Sequence, residues 1–186
     1  MSGSLLIWMV LALAVFWCVG LYNRLMRMRA RGLDAFGSVE KYMRRYRILV
    51  EVHLSESGLA RHLGVGENSA DNLLGDWAQT VQVLHVLDAA LKEARSAPLQ
   101  MSALARLGEA FADAQSAWEC LCELPADLAG PVVPDTLRQQ WDATTVKVQT
   151  ARGGFNQILF KYNEAIGQFP ARLIVRMMHF ERAGLL

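Results

Sequence analysis

Residues 137–169 read LRQQWDATTVKVQTARGGFNQILFKYNEAIGQF. Within them Leu137, Trp141, Thr144, Val148, Ala151, Phe155, Ile158, Tyr162, Ala165 and Phe169 follow one another in steps of four and three without a slip. That alternation, a period of about 3.5 residues, keeps one stripe on one side of an α-helix and is the seam of a left-handed helical bundle. A half-buried strand would alternate every second residue, and this stretch does not. Pro170 ends or kinks the helix, and Asp135 or Thr136 is placed to cap its start.

The same spacing recurs three times upstream. Leu104, Leu107, Phe111, Ala114, Trp118 and Leu121 mark a helix that stops at Pro125, ahead of the loop PADLAGPVVP. Ala70, Leu73, Trp77, Thr80, Leu84, Leu87 and Leu91 mark another, which ends before Pro98 because proline disfavours helix in the residue ahead of it. Leu25, Met28, Phe36, Val39, Met43, Tyr46, Val50 and Leu54, with Gly32 in the vacant place, predict a first helix reaching about His62. The glycines of Gly64–Asn68 then predict a turn. No period-two pattern occurs. The fold expected is all-α: an antiparallel, up-and-down four-helix bundle with long first and last helices, preceded by a transmembrane helix.

That transmembrane helix is Leu5–Tyr22, LLIWMVLALAVFWCVGLY, which carries no charge. As a helix it is roughly 27 Å long, close to the ~30 Å hydrocarbon core of a bilayer. The residues before it bring no positive charge and those after it no small-x-small cleavage site, so an uncleaved anchor is expected rather than a signal peptide. Arg24, Arg27, Arg29 and Arg31 follow at once, which by the positive-inside bias holds the following domain in the cytoplasm. The organisation expected is a short non-cytoplasmic N-terminus (1–4), an anchor in the cytoplasmic membrane (5–22) and a cytoplasmic domain (23–186). The span itself holds no ionisable side chain beyond the Cys18 thiol, so it offers no ion path.

The net charge of +1 conceals an asymmetry. Residues 22–47 hold eight Lys/Arg against two Asp/Glu, residues 48–169 eight against fifteen, and residues 170–186 three against one. A body with an acidic middle lacks the basic stripe a nucleic acid needs. The basic ends define a membrane-proximal collar of Arg24, Arg27, Arg29, Arg31, Lys41, Arg44, Arg45, Arg47, Arg172, Arg176 and Arg182, suited to anionic headgroups. Leu173, Met177 and Phe180 give the C-terminal piece an apolar side. It either returns to the bilayer beside Arg24–Arg47 or lies on the bundle.

Residues suited to chemistry are few and scattered. His53, His62, His85 and His179 are scattered, and none stands four residues from another as a helical zinc pair would. His53 and Glu56 share a face, but no Glu-x-x-His of the di-iron kind occurs; His53 reads as an interfacial core residue. Cys120 and Cys122, two apart in a helix, point to different sides and imply no disulfide. Gly64-Val65-Gly66 lacks the strand and lysine of a phosphate loop. No catalytic, cofactor or metal site is expected, and the chain is not read as an enzyme.

Two stretches resemble the LemA family: residues 22–54, YNRLMRMRARGLDAFGSVEKYMRRYRILVEVHL, and residues 155–170, FNQILFKYNEAIGQFP. The matching positions are Tyr22-Asn23, Arg44-Arg45, Asn156, Tyr162-Asn163 and Phe169-Pro170. Phe155 stands where the family has the first tyrosine of the late pair, and Ile48–Val52 lacks the family's proline and asparagine. The resemblance implies a single-pass bacterial membrane protein with a helical-bundle domain, no established catalytic residues, and association with membrane proteases or other envelope proteins. It points to a scaffold or adaptor, with the bilayer, a membrane or cytosolic protein and self-association as partners. The alternatives are an anionic-lipid-binding or membrane-remodelling module, and a ligand sensor or metal-dependent enzyme built on His53, Glu56 and Asn163. Asn156 and Asn163, one heptad apart beside the seam, read as a polar layer satisfied by the first helix or by backbone, or else as a ligand contact.

Overall fold

The structure, a computed structural model, describes residues 2–58, 72–125, 131–168, 175 and 182–186. Among these residues the chain is all-α: α1 spans Ser2–Glu56, α2 Asn72–Ser96, α3 Met101–Glu123 and α4 Asp135–Gly167. Residues 59–71, with Ala70 and the Gly64–Asn68 turn, lie outside the described residues, as do residues 126–130 of the long loop.

α1 is one unbroken helix of 55 residues, roughly 80 Å long. Its first part bears the apolar stretch, and the large apolar side chains there face outward, Phe16 at 77% and Leu5 at 73% exposure. By length and composition this part can cross a membrane. Farther along, the same helix becomes a wall of the bundle, with Phe36, Val39, Met43, Tyr46, Val50 and Leu54 buried. α1 stops six residues short of the expected His62. Ser57 donates its N–H to the His53 carbonyl at 2.9 Å, and Gly58 takes a φ of +75°, a left-handed turn that costs glycine least.

Five pairings fix the order of the helices. Phe36 meets Phe155 at 5.7 Å and Tyr46 meets Trp141 at 4.2 Å between ring centroids, so α1 and α4 run antiparallel. Arg95 reaches back to Glu40 and Arg47 to Asp88, both at 3.1 Å, so α1 and α2 do too. Arg106 pairs with Glu93 across the α2–α3 turn. The bundle is up-and-down.

The expected stripes form the core. On α2 and α3 every stripe residue with a described side chain is buried, from Trp77 to Leu91 and from Leu104 to Leu121. α4 departs from its seam: Ala151 and Ile158 are half-buried, while Leu159 and Ile166 are buried instead. The reason is that α4 is covered on two sides, which widens its buried arc beyond a two-helix seam. Its cap also differs from expectation. Pro134 occupies the N-cap with no side-chain bond, its carbonyl accepting from Leu137 and Arg138 at 3.0 Å each. Asp135 falls in the first turn, where its charge suits the exposed N–H groups.

One edge of the bundle is open. Among the described residues no Cα of α3 comes within 8 Å of a Cα of α4. Aromatic rings fill the half of this gap away from the apolar end of α1: Trp118 stacks on Trp141 at 4.0 Å with an 8° interplanar angle, and Tyr46 and Phe111 lie alongside. A hydrogen-bond chain ties the three helices there. Gln115 donates to the Tyr46 hydroxyl at 3.2 Å, Tyr46 meets Thr145 at 2.8 Å, and Thr145 donates to the Trp141 carbonyl at 3.1 Å. Burial raises the Tyr46 phenol above its ordinary pKa, outweighing the bonds to Thr145 and Gln115.

Candidate functional site

The other half of the α3–α4 gap is filled by residues 183–186. Asn163 donates from Nδ2 to the Ala183 carbonyl and accepts the Ala183 N–H on Oδ1, both at 2.8 Å. One heptad earlier, Asn156 does the same for Leu186, donating at 2.6 Å and accepting at 2.9 Å. Arg152 Nε adds a second donor to the Leu186 oxygen at 2.5 Å. From the far side, Leu99 in the α2–α3 turn accepts the Gly184 N–H at 3.1 Å. The segment thus runs antiparallel to α4, its main chain bonded on both sides.

The spacings agree with one another. Seven residues of α-helix rise about 10.5 Å, and three residues of extended chain span about 10 Å. Two asparagines a heptad apart therefore match residues 183 and 186 when the segment is extended. Ala183 and Leu186 are buried, whereas Leu185 is 53% exposed. A Cβ on Gly184 would lie 2.6 Å from the Met101 Cα, so only glycine lets the segment approach α3 this closely.

The two asparagines thus bind the main chain of residues 183 and 186 rather than α1. Residues 183–186 lie on the bundle. The rest of the C-terminal piece, including Leu173, Met177, Phe180, Arg172 and Arg176, lies outside the described residues, as do Phe169 and Pro170. Of the other motif residues, Tyr162 is buried near Arg29, Tyr22 is half-buried and Asn23 is exposed.

α1 spreads the basic set along its axis. Arg24, Arg27, Arg29 and Arg31 are exposed and lie within about 14 Å of Tyr22 along the helix. Lys41, Arg44, Arg45 and Arg47 lie about 29–38 Å beyond Tyr22, several screening lengths away. Two of these four are engaged elsewhere. Arg44 pairs with Glu40 at 2.8 Å, and Arg47 with Glu51 at 2.6 Å and Asp88 at 3.1 Å. Burial works against the charge on Asp88, but Lys92, Arg47 and Arg44 outweigh it and hold the carboxyl below its usual pKa. Lys41 and Arg45 are exposed, as is Arg182.

His53 lies half-buried against Trp77, ring centroids 5.3 Å apart. Burial lowers its pKa, with Glu56 pulling the other way. Among the described residues no three His, Cys, Asp or Glu side chains gather as metal ligands. Glu109 and Asp113 stand exposed on α3.

The sequence reading missed Arg152 and residues 183–186. Asn156 and Asn163 carried the available signal, since amides beside a seam need partners that an apolar stripe does not supply. No protein-family model, curated protein or solved structure matches the chain.

Proposed function

We propose that this chain is a membrane-anchored helical-bundle protein of the LemA type that serves as a scaffold or adaptor for other envelope or membrane proteins. The observation that carries the reading is the continuity of α1. An exposed apolar segment long enough to cross a bilayer passes without a break into the core of the bundle. A bundle built on such a helix is held at fixed height and orientation, which suits a docking platform. The arginines at 24, 27, 29 and 31 support an anchor in the cytoplasmic membrane with the bundle in the cytoplasm. The LemA assignment rests on the residues 22–54 and 155–170 described above.

The test is photocrosslinking in cells from Glu109 and Asp113, exposed positions on α3, followed by identification of the captured protein. One dominant membrane or cytosolic protein supports the adaptor role. Capture of nothing but a second copy replaces it with a self-assembling scaffold. A second reading, binding to anionic lipid, draws on the four exposed arginines next to the apolar segment. Salt-sensitive attachment to anionic but not neutral vesicles supports it, and equal attachment to both removes it.

A further inference from the structure

We propose that the gap between α3 and α4 is a peptide-binding site for an extended small-Gly-x-Leu segment of a partner protein, and that residues 183–186 hold it as a tethered competitor. This deepens the adaptor reading by naming what the partner presents. The seat grips main chain, as strand-addition sites do, but at residues three apart, the period of a polyproline-II turn rather than of a β-strand. Asn156 and Asn163 each offer one donor and one acceptor to a single residue's main chain, and main-chain bonds give affinity without regard to side chains.

Selectivity comes from the positions between and beside those bonds. The enclosed places of Ala183 and Leu186 take a small and a branched apolar side chain. Residue 184 must be glycine, because the Met101 backbone occupies the space of a Cβ. Residue 185 faces outward and is free to vary. The cleft does not depend on the segment for its walls. α4 is built on α1 and α3 on α2, and α3 and α4 stay apart along this edge. A segment joined to its own receptor has an effective concentration of the order of millimolar, so the resident sequence masks the seat from weak competitors.

The test uses the full chain carrying Gly184→Ala, which pushes the resident segment off Met101 and leaves the seat unaltered. A fluorescent peptide Glu-Arg-Ala-Gly-Leu-Leu is titrated while its polarisation is read. It is expected to bind the Gly184→Ala chain at least about tenfold more tightly than the wild-type chain, where the tethered copy competes. Adding Asn163→Leu to that chain, or replacing the peptide's glycine with alanine, is expected to weaken binding about tenfold or more. Absence of saturable binding by the folded variant, or equal binding of the alanine peptide, overturns the proposal.

Should Gly184→Ala disturb folding, a photoreactive phenylalanine at the exposed position 185 of the otherwise wild-type chain gives a second reading. Crosslinks from it to α3 and α4 within one molecule are expected to fall when the unlabelled peptide is added at millimolar concentration. Crosslinks that the peptide does not change overturn the proposal. Crosslinks joining two molecules overturn it in favour of segment exchange between copies. Failure here leaves the adaptor reading to the Glu109 and Asp113 crosslinks, which sample a different surface.

Discussion

Asn163 grips Ala183 with both ends of its side-chain amide, accepting the N–H and donating to the C=O at 2.8 Å each. Replacing Asn163 with leucine keeps the volume but leaves two polar backbone groups without their partners. We expect a loss of about 1–3 kcal/mol in urea unfolding, the cost of an unsatisfied buried pair. Asn156→Leu is expected to behave alike. Because both asparagines hold one short segment, the double variant should cost less than the sum of the singles. Amide exchange at Ala183 and Leu186 should quicken in either single variant, and slow exchange at both would contradict the arrangement.

Trp141 is sandwiched between Trp118 of α3 and Tyr46 of α1, and is 1% exposed. On its α3 side it spans a gap that the backbones leave open, so α3 cannot readily close in after truncation. Trp141→Ala should cost about 3–5 kcal/mol and remove much of the near-ultraviolet circular dichroism. Phe160 makes the control. It lies on the same helix at 64% exposure, and Phe160→Ser should change stability by about 0.5 kcal/mol or less.

Protonation of His53 should loosen the α1–α2 contact. Burial against Trp77 sets its folded pKa below its ordinary value, so the unfolded chain takes up the proton first as pH falls. The contribution of neutral His53 is therefore complete above the unfolded pKa of about 6.5 and is lost as pH drops through that value toward the folded one. Urea midpoints at pH 7.5 and 5.5 should differ in the wild-type chain, and His53→Phe should flatten that difference. An unchanged slope in the variant would remove His53 as its source. Asp88 has the opposite chemistry. Held ionised below its usual pKa, it weakens the fold in much stronger acid, as pH falls through its folded value.

The helices and the core were legible because a period of 3.5 residues leaves a mark every turn, and Leu104, Leu107, Phe111, Ala114, Trp118 and Leu121 all followed it inward. Boundaries were less so. The end of α1 turns on Ser57 and Gly58, two small residues whose effect lies in local geometry rather than periodicity. The seat for residues 183–186 left almost no mark. It joins α4 to a segment twenty to thirty residues away through main-chain bonds, which no side-chain pattern records. Its trace was the pair Asn156 and Asn163, legible as polar groups wanting partners but silent about which. On α4, Leu159 and Ile166 are buried although the seam had placed them outside it, Leu159 lying over Gly32 of α1.

The length of α1 bears directly on how the chain is oriented. The positive-inside bias is felt within about 15–20 residues of a span. Arg24, Arg27, Arg29 and Arg31 lie inside that reach from Tyr22, Lys41 at its limit, and Arg44, Arg45 and Arg47 beyond it. Arg44 and Arg47 are moreover neutralised by Glu40, Glu51 and Asp88 once the bundle forms. Changing the first four to glutamine should therefore scramble orientation, while changing Lys41, Arg44, Arg45 and Arg47 should spare it and instead weaken the α1–α2 contact. Cys120, exposed on α3, reports the side. In a chain lacking Cys18 and Cys122, a membrane-impermeant maleimide should reach Cys120 in intact spheroplasts of the first variant. In the second variant and the parent it should reach Cys120 after lysis alone. Labelling of the parent in intact spheroplasts would place the bundle outside the cytoplasm and overturn the orientation.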